Sequence, residues 1–442
     1  MGTSLVAMET LASNPAYSPV TEYLQSIHET GLRKTGGALA DYIPELANQD
    51  PTLFGLSLCT PEGIVYSVGD SDTQFSIQSV SKPFVYAMAL ADRGLERVNQ
   101  SVGEEPSGDP FNSISLDEET GRPDNPMINI GAVTTHALVH SKGASREVRE
   151  NRILAGMSAF AGRELSYDDA VYESEIDKAW RNLALAALVR ANDLIISDPA
   201  EVVRGYTRQC SALVTTKDLA VMGMTLASGG VNPQTGERVV PEWVAQQVLS
   251  VMTTCGMYDA AGDWLTNVGI PAKSGVSGGI MGSLPGQMGA AAFSPPIDKF
   301  GNSVRGVDAF ERMSEDLGLH MMKPPSPILS SVLEKETDSS GRLHIHIQGS
   351  MDFSLAEKAL RSILETPQNS QPIVIDFRSV PSVSLVGYKL LHAGIFELKR
   401  RGHTVTILDP NEHFADLREE VYTSLSDIEP TEEPVDSSWF AK

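Results

Sequence analysis

The 442 residues exceed what one hydrophobic core usually organises, so two domains are expected. With 41% hydrophobic and 21% charged residues the chain has the composition of a folded globular protein, and a formal net charge of −23 at pH 7 argues against a nucleic-acid partner or an anionic membrane surface. Three dispersed cysteines, Cys59, Cys210 and Cys255, support neither a disulfide framework nor a zinc site; with no basic-then-apolar leader and no apolar run of about 18 residues, a cytoplasmic location is expected.

Residues 1–20 read as a lead-in, and a helical period runs over residues 20–42, interrupted at Gly36 and Gly37. Residues 54–60 and 64–68 flank Pro61, Glu62 and Gly63 as the two strands of a β-hairpin. Residues 75–83, Phe-Ser-Ile-Gln-Ser-Val-Ser-Lys-Pro, then lead into an apolar run over 84–91. Pro83 suits the first turn of a helix, where its missing N–H costs nothing, and Gly94 is a stop. A helix opening at Ser79 places Lys82 one turn away on the same face. A serine hydroxyl is a poor nucleophile until a base takes its proton, and a lysine shielded from water has its pKa lowered enough to be that base. The N–H groups of the helix start are suited to a developing oxyanion.

Ser-x-x-Lys alone arises by chance about once in a chain of this size. Its context gives it weight: residues 271–279, Pro-Ala-Lys-Ser-Gly-Val-Ser-Gly-Gly, read like the Lys-Thr-Gly strand that accompanies Ser-x-x-Lys in β-lactamases and penicillin-binding proteins. Between these two stretches lie a Gly, Pro, Asp and Asn-rich segment over residues 102–126, suited to a lid, and a mostly helical block. Helical spacing covers residues 130–140, 146–162, 167–191 and 216–228, followed by a turn-rich connection over 229–240 and another helix over 241–253. Small residues over 272–293 fit strands returning beside the serine helix. The prolines of residues 324–327 and the polar stretch 334–341 mark a linker. Strand, helix, strand, helix and strand patterns then follow over 343–348, 355–364, 373–377, 385–400 and 404–408, which describe a small α/β domain, and residues 427–436 are acidic. The expected domains are a lead-in (1–20), a catalytic domain (21–320), a linker (321–341), the α/β domain (342–426) and an acidic tail (427–442).

Blocks over residues 41–47, 75–82, 105–113, 125–132, 206–211, 254–258 and 272–279, with the pairs Ser174-Glu175 and Arg181-Asn182, closely resemble the serine-dependent glutaminases. The resemblance implies a β-lactamase or penicillin-binding-protein-like α/β fold, in which a sheet is joined to a helical subdomain. It implies hydrolysis of L-glutamine by a serine nucleophile, no metal or organic cofactor, and a homo-oligomer, dimer or tetramer. Carried over block by block, Ser79 is the nucleophile, Lys82 the base and Tyr258 the proton shuttle, with Tyr42 closing the pocket. A phenol held beside a lysine ammonium is expected to have a lowered pKa, which suits a relay to departing ammonia. The N–H of Val276 joins that of Ser79 in the oxyanion hole. Glu175 is the partner for the substrate ammonium, and Asn129, Asn182 and Tyr206 are similar to the family's carboxylate and amide contacts.

Outside such blocks the same residues read differently. Glu175 and Asn182, seven apart, would share one helix face as a solvated edge, Asn129 would cap the helix beginning at Ile130, and the tyrosines would be boundary aromatics. His136 and His140 lack the glutamate of a zinc-protease motif and fit a surface or core role. No Gly-x-Ser-x-Gly elbow surrounds a serine, and the Ser-Asp-Asn element of β-lactamases is missing, so β-lactam hydrolysis is not expected.

The α/β domain resembles STAS domains over residues 343–353, 373–377 and on to Leu391. Where that family carries its phosphorylatable Asp-Ser-Ser, this chain has Ser384, Leu385 and Val386; Leu385 has no hydroxyl, and Ser384 and Ser382 are weak substitutes. The resemblance implies a regulatory or interaction module with a protein or small-ligand partner. His344 and His346 share one strand face and are expected to be exposed by alternation rather than to bind metal. Two rival readings are a catalytically silent hydrolase fold that scaffolds the STAS module, and an amidohydrolase of different selectivity such as an asparaginase.

Overall fold

The computed structural model describes residues 19–108, 113–117, 119–323, 333–351, 353–366 and 371–414. The lead-in up to residue 18, parts of the expected lid (109–112 and 118) and linker (324–332), Asp352 and the acidic tail lie outside them. The chain divides into two units, residues 1–323 and 324–442.

The first unit is built on a five-stranded antiparallel sheet of order β2-β1-β7-β6-β5. The strands are β1 (Gly55–Cys59), β2 (Val65–Gly69), β5 (Ala272–Ser274), β6 (Gly279–Leu284) and β7 (Met288–Phe293). The hairpin expected at the start is present, turning through Gly63 at φ 81°. Strand β7, Met-Gly-Ala-Ala-Ala-Phe, shows no polar alternation because both faces of the sheet are covered. On one face Leu56, Ile280, Ala290 and Ala292 meet Leu24 and Ile27 of helix α1 (Pro19–Gly31) and Phe310 of a C-terminal helix (Val304–Leu317). On the other, Met281, Ala291 and Phe293 meet the helical block.

Three small elements follow α1 before the serine: α2 (Pro44–Ala47), the hairpin, and β3 (Phe75–Ser76), which pairs with β4 (Leu213–Val214). Helix α3 (Lys82–Arg93) comes next, with Pro83 in its first turn and Gly94 after its end at φ 76°. Every residue from Lys82 to Leu90 is buried, so the run is apolar all round rather than amphipathic. A short α4 (Leu95–Asn99) precedes the expected lid segment, whose described part contains neither helix nor named strand and is tied down by Gly103 N–H to Pro123 O and Glu105 N–H to Asp124 O.

The helical block comprises α5 (Asn129–Leu138), α6 (Arg146–Ala161), α7 (Asp169–Ile176), α8 (Trp180–Ala191), α9 (Pro199–Cys210), α10 (Thr216–Ala227), α11 (Glu242–Cys255) and α12 (Ala261–Asn267); the C-terminal helix of the unit is α13. Helix α10 lies directly on the sheet: a Cβ at Gly289 of β7 would sit 2.1 Å from the Ala220 carbonyl oxygen. Three differences from the sequence reading stand out. Helix α1 stops at Gly31, so residues 32–42 are not helical. The single helix expected over 167–191 is two, separated by turns in which Lys178 N–H reaches Glu175 O and Ala179 N–H reaches Ile176 O. Helix α9, opened by the Asp198 side chain and Pro199, lies outside the helical stretches expected from apolar spacing.

The second unit has a four-stranded sheet of order β11-β10-β9-β8, with β10 parallel to β9 and β11 and β8 antiparallel to β9. These are β8 (Leu333–Thr337), β9 (Leu343–Gln348), β10 (Ile373–Ser379) and β11 (Val405–Leu408), with α14 (Phe353–Leu364) and α15 (Leu385–Arg400). Ile345, Ile347, Ile375 and Phe377 pack with Ala356, Ala359, Ile363, Leu391 and Ile395 in one core. Strand β8 falls inside the stretch read as linker; it is an edge strand, and residues 334–337 are exposed, so its sequence is polar. His344 and His346 are half-buried: His344 Nε2 lies 3.1 Å from Asp338 Oδ2, and His346 faces Asp376 at 3.1 Å and Glu336 at 3.2 Å. Ser384 caps α15, accepting from Gly387 N–H at 3.0 Å and donating to the Met351 carbonyl at 2.8 Å. Among the described residues no helix is long and apolar enough to cross a membrane.

Candidate active site

The serine lies where a strand runs into the central helix. Ile77 N–H bonds to the Ala212 carbonyl at 2.7 Å, anchoring the end of β3, and Gln78 then takes φ 51°, a left-handed conformation that strains a non-glycine residue. A 3-10 turn over Gln78–Ser81 carries Ser79 and passes directly into α3, so Ser79 precedes the α-helix by one turn rather than opening it. Ser79 is 9% exposed and Lys82 fully buried.

Lys82 Nζ donates to Asn129 Oδ1 at 2.8 Å and to the Met127 carbonyl at 3.1 Å. Both partners are neutral, and burial lowers its pKa from an ordinary 10.5 to about 7. Asn129 is the first residue of α5, not its cap; Ile128 holds the cap position without a side-chain bond. The Asn129 amide spans from Lys82 to Asn182 of α8, donating to Asn182 Oδ1 at 3.3 Å.

Tyr258 follows the end of α11. Gly256 allows that end to approach β5 closely, since a Cβ there would lie 1.8 Å from the Ala272 carbonyl oxygen. Tyr258 itself is left-handed at φ 55°, and its hydroxyl donates to the Ser274 carbonyl at 3.2 Å. Burial raises its pKa to about 12, against the opposing pull of hydrogen bonds with Ser79 and Ser274. The lowered phenol pKa expected from a neighbouring ammonium is therefore corrected: desolvation wins, and the group is a neutral phenol. The amine on its ring is also a different one, Lys273, whose Nζ lies 3.8 Å from the ring centroid.

Glu175, on α7, accepts from Gln78 Nε2 at 2.6 Å and from the Tyr42 hydroxyl at 3.1 Å, and burial raises its pKa to about 7. It does not share a helix face with Asn182, because α7 and α8 are separate helices. Tyr42 leaves 41% of its surface exposed while its hydroxyl turns inward to Glu175. Its backbone carbonyl accepts from Lys178, in the turn between α7 and α8. Tyr206 of α9 is buried beside the Cys210 thiol, and desolvation holds its phenol well above the usual range. The Tyr42 hydroxyl also reaches Gln78 Oε1 at 3.4 Å, so Tyr42, Gln78 and Glu175 form one hydrogen-bonded group.

Val276 lies in the tight turn from β5 to β6, closed by Gly275 N–H to Gly279 O and Gly278 N–H to Gly275 O. Gly275 packs on the serine's own turn, its Cβ position 3.1 Å from the Ile77 carbonyl oxygen. Among the described residues the Val276 N–H has no acceptor. Tyr42 and Val276 line a cleft of about 330 Å³, and Tyr258 lines another of about 320 Å³ with Asn125, Ser107 and Thr254.

Gln78, Cys210 and Lys273 have no role expected from the sequence but stand beside residues that do. Gln78 adjoins Ser79 in sequence, but its bond to Glu175 spans 97 residues and has no local signal. His136 is a buried core residue, its Nδ1 2.9 Å from Gln209 Oε1, and burial holds its pKa at about 3. A serine hydroxyl, an amine of near-neutral pKa, a neutral phenol, a backbone N–H and a carboxylate are the kinds of group an acyl transfer uses.

Residues 37–322 match the family model Glutaminase, and residues 333–437 match that of the STAS domain. The chain is 44% identical over 409 residues to a glutaminase of Corynebacterium efficiens, spanning 92% of this chain and 96% of the relative. It is 50% identical over 285 residues to a glutaminase of Clavibacter michiganensis subsp. michiganensis, spanning 64% and 87%. A crystal structure of Mglu in its glutamate form superposes with a TM-score of 0.83 at 42% identity, covering 90% of this chain and 99% of that one.

Proposed function

The chain belongs to the glutaminase family and carries a C-terminal STAS domain, and we propose that it hydrolyses L-glutamine to L-glutamate and ammonia through a γ-glutamyl ester on Ser79. Neutral Lys82 takes the Ser79 proton as Oγ attacks the γ-amide carbon. The oxyanion is met by the N–H groups of Ser79 and Val276. Tyr258 passes its proton to the amide nitrogen and recovers one from the Lys82 ammonium as the C–N bond breaks. Water then attacks the ester by the reverse path. Glu175 holds the substrate α-ammonium, while Asn129, Asn182 and Tyr206 orient its carboxylate and amide, with Tyr42 closing the cleft. A site holding both head groups through buried polar contacts rejects substrates lacking either one.

The observation that carries this reading is the Lys82 amine: buried, contacted by neutral acceptors, near-neutral in pKa, and one turn from the serine. The reading includes action in the cytoplasm as a homo-oligomer, dimer or tetramer, and a regulatory or interaction role for the STAS unit. Ammonia release from glutamine tests the chemistry: Ser79→Ala and Lys82→Ala are each expected to abolish it. Full activity in either variant rejects the mechanism. Side-by-side rates on asparagine are expected to favour glutamine.

A further inference from the structure

The proposed reaction leaves one deeply buried amine unused. Lys273, on β5, is fully buried, and the pressure of burial together with the Lys82 amine pushes its pKa well below the ordinary lysine range. Its Nζ donates to the Ser274 carbonyl at 2.7 Å and sits 3.8 Å from the centroid of the Tyr258 ring. The Tyr258 hydroxyl uses the same Ser274 carbonyl, at 3.2 Å. One amine therefore contacts both the face of the phenol and the acceptor that fixes the phenol's hydroxyl. Burying a lysine without a counter-charge costs stability, and a methionine of similar shape would fill the space without that cost. Tyr258 also sits at φ 55°, a conformation that persists only where neighbours over-determine it.

We propose that Lys273 is a positioning residue of the proton relay: it seats the Tyr258 ring and shares the Ser274 carbonyl with its hydroxyl, keeping the phenol on Ser79 while the leaving nitrogen takes its proton. The proposal rests on Tyr258 being the relay. Lys273 itself gains and loses no proton in the cycle; Lys82 takes one from Ser79 and returns it through Tyr258 to the departing ammonia.

The test compares two substrates. Glutamine needs a proton on its leaving nitrogen, whereas an L-glutamate γ-aryl ester releases a phenolate that needs none, and the first-turnover burst of phenolate reads acylation alone. Lys273→Met is expected to lower kcat on glutamine about 100-fold, with KM and the ester burst each changed by less than about threefold. Tyr258→Phe is expected to show the same contrast, and Lys273→Gln, which keeps a donor for the carbonyl, to recover part of the amide rate even if Lys273→Met folds poorly. Amide turnover by Lys273→Met within about threefold of the parent, or equal losses on amide and ester in both Lys273 variants, overturns the proposal. A parent protein that turns over neither substrate removes the glutaminase mechanism itself, a failure separable from the other two.

Discussion

At the scale of single residues, two groups of near-neutral pKa set how the site responds to pH. In the proposed reaction Lys82 can be a base only when neutral and Glu175 can hold an ammonium only when ionised; burial moves both to about 7, one downward and one upward. Below that value each loses its active form tenfold per pH unit. The acidic limb of kcat/KM, which reports the free enzyme, is therefore expected to be steeper than a single ionisation, approaching slope two below about pH 6. Glu175→Gln is expected to return the limb to slope one and to lower kcat/KM by roughly 10- to 100-fold, mostly through KM, for a lost charge-assisted hydrogen bond. A limb of slope one in the parent enzyme contradicts this assignment.

The same Lys82 has a stability consequence. Its folded pKa lies below its unfolded one, so between about 7 and 10.5 the unfolded chain binds more protons, and stability rises with pH across that window. The penalty is fullest below about pH 7. Lys82→Met is expected to raise the unfolding free energy at pH 7, and with it the urea midpoint, by more than about 1 kcal/mol in free energy, while abolishing turnover. An unchanged or lower midpoint shows that burial is not the source of the shift. Ser79 and Lys82 are paired by the Ser-x-x-Lys spacing itself, whereas Tyr42, Asn129, Glu175, Asn182, Tyr206, Tyr258 and Val276 are expected only from the resemblance of their blocks. Gln78 and Lys273 were legible in neither way, since their partners Glu175 and Tyr258 meet them only through the fold.

At the scale of elements, close backbone approaches decide where the functional groups end up. A Cβ at Gly289 meets the Ala220 carbonyl at 2.1 Å, so Gly289→Ala is expected to lower stability by about 1–3 kcal/mol as α10 is forced off the sheet, read from the melting temperature. Gly256→Ala forces the end of α11 away from β5 and is expected to lower kcat beyond its effect on stability, because Tyr258 lies two residues on. A Gly256→Ala enzyme with parental kcat shows that Tyr258 does not depend on this approach. The hairpin, α3, α5, α6, α10 and strands β9, β10 and β11 of the second unit followed from periodicity and turn residues. The break between α7 and α8 did not, because apolar spacing continues through 167–191 and carries no glycine or proline to mark it. Strand β8 was read as linker for a related reason: an exposed edge strand needs no apolar face. Helix α9 did carry a start signal, Asp198 followed by Pro199.

At the scale of the whole molecule, each unit supplies its own core. The clusters around α3 and the five-stranded sheet draw on residues 24–313 alone, and that of the second unit on residues 345–414. A chain ending at residue 323 is expected to fold and to keep glutamine turnover within about twofold, measured as ammonia release. Loss of all turnover on this truncation favours a scaffold in which the STAS unit is indispensable.

The account depends most on where the acyl group is carried. Glutamine labelled in its carbon chain, mixed with enzyme and quenched in acid within a turnover, is expected to leave the label as an ester on the peptide containing Ser79, and to leave none on Ser79→Ala. Label on any other side chain, or ammonia release by the parent enzyme with no acyl adduct at any quench time, contradicts it.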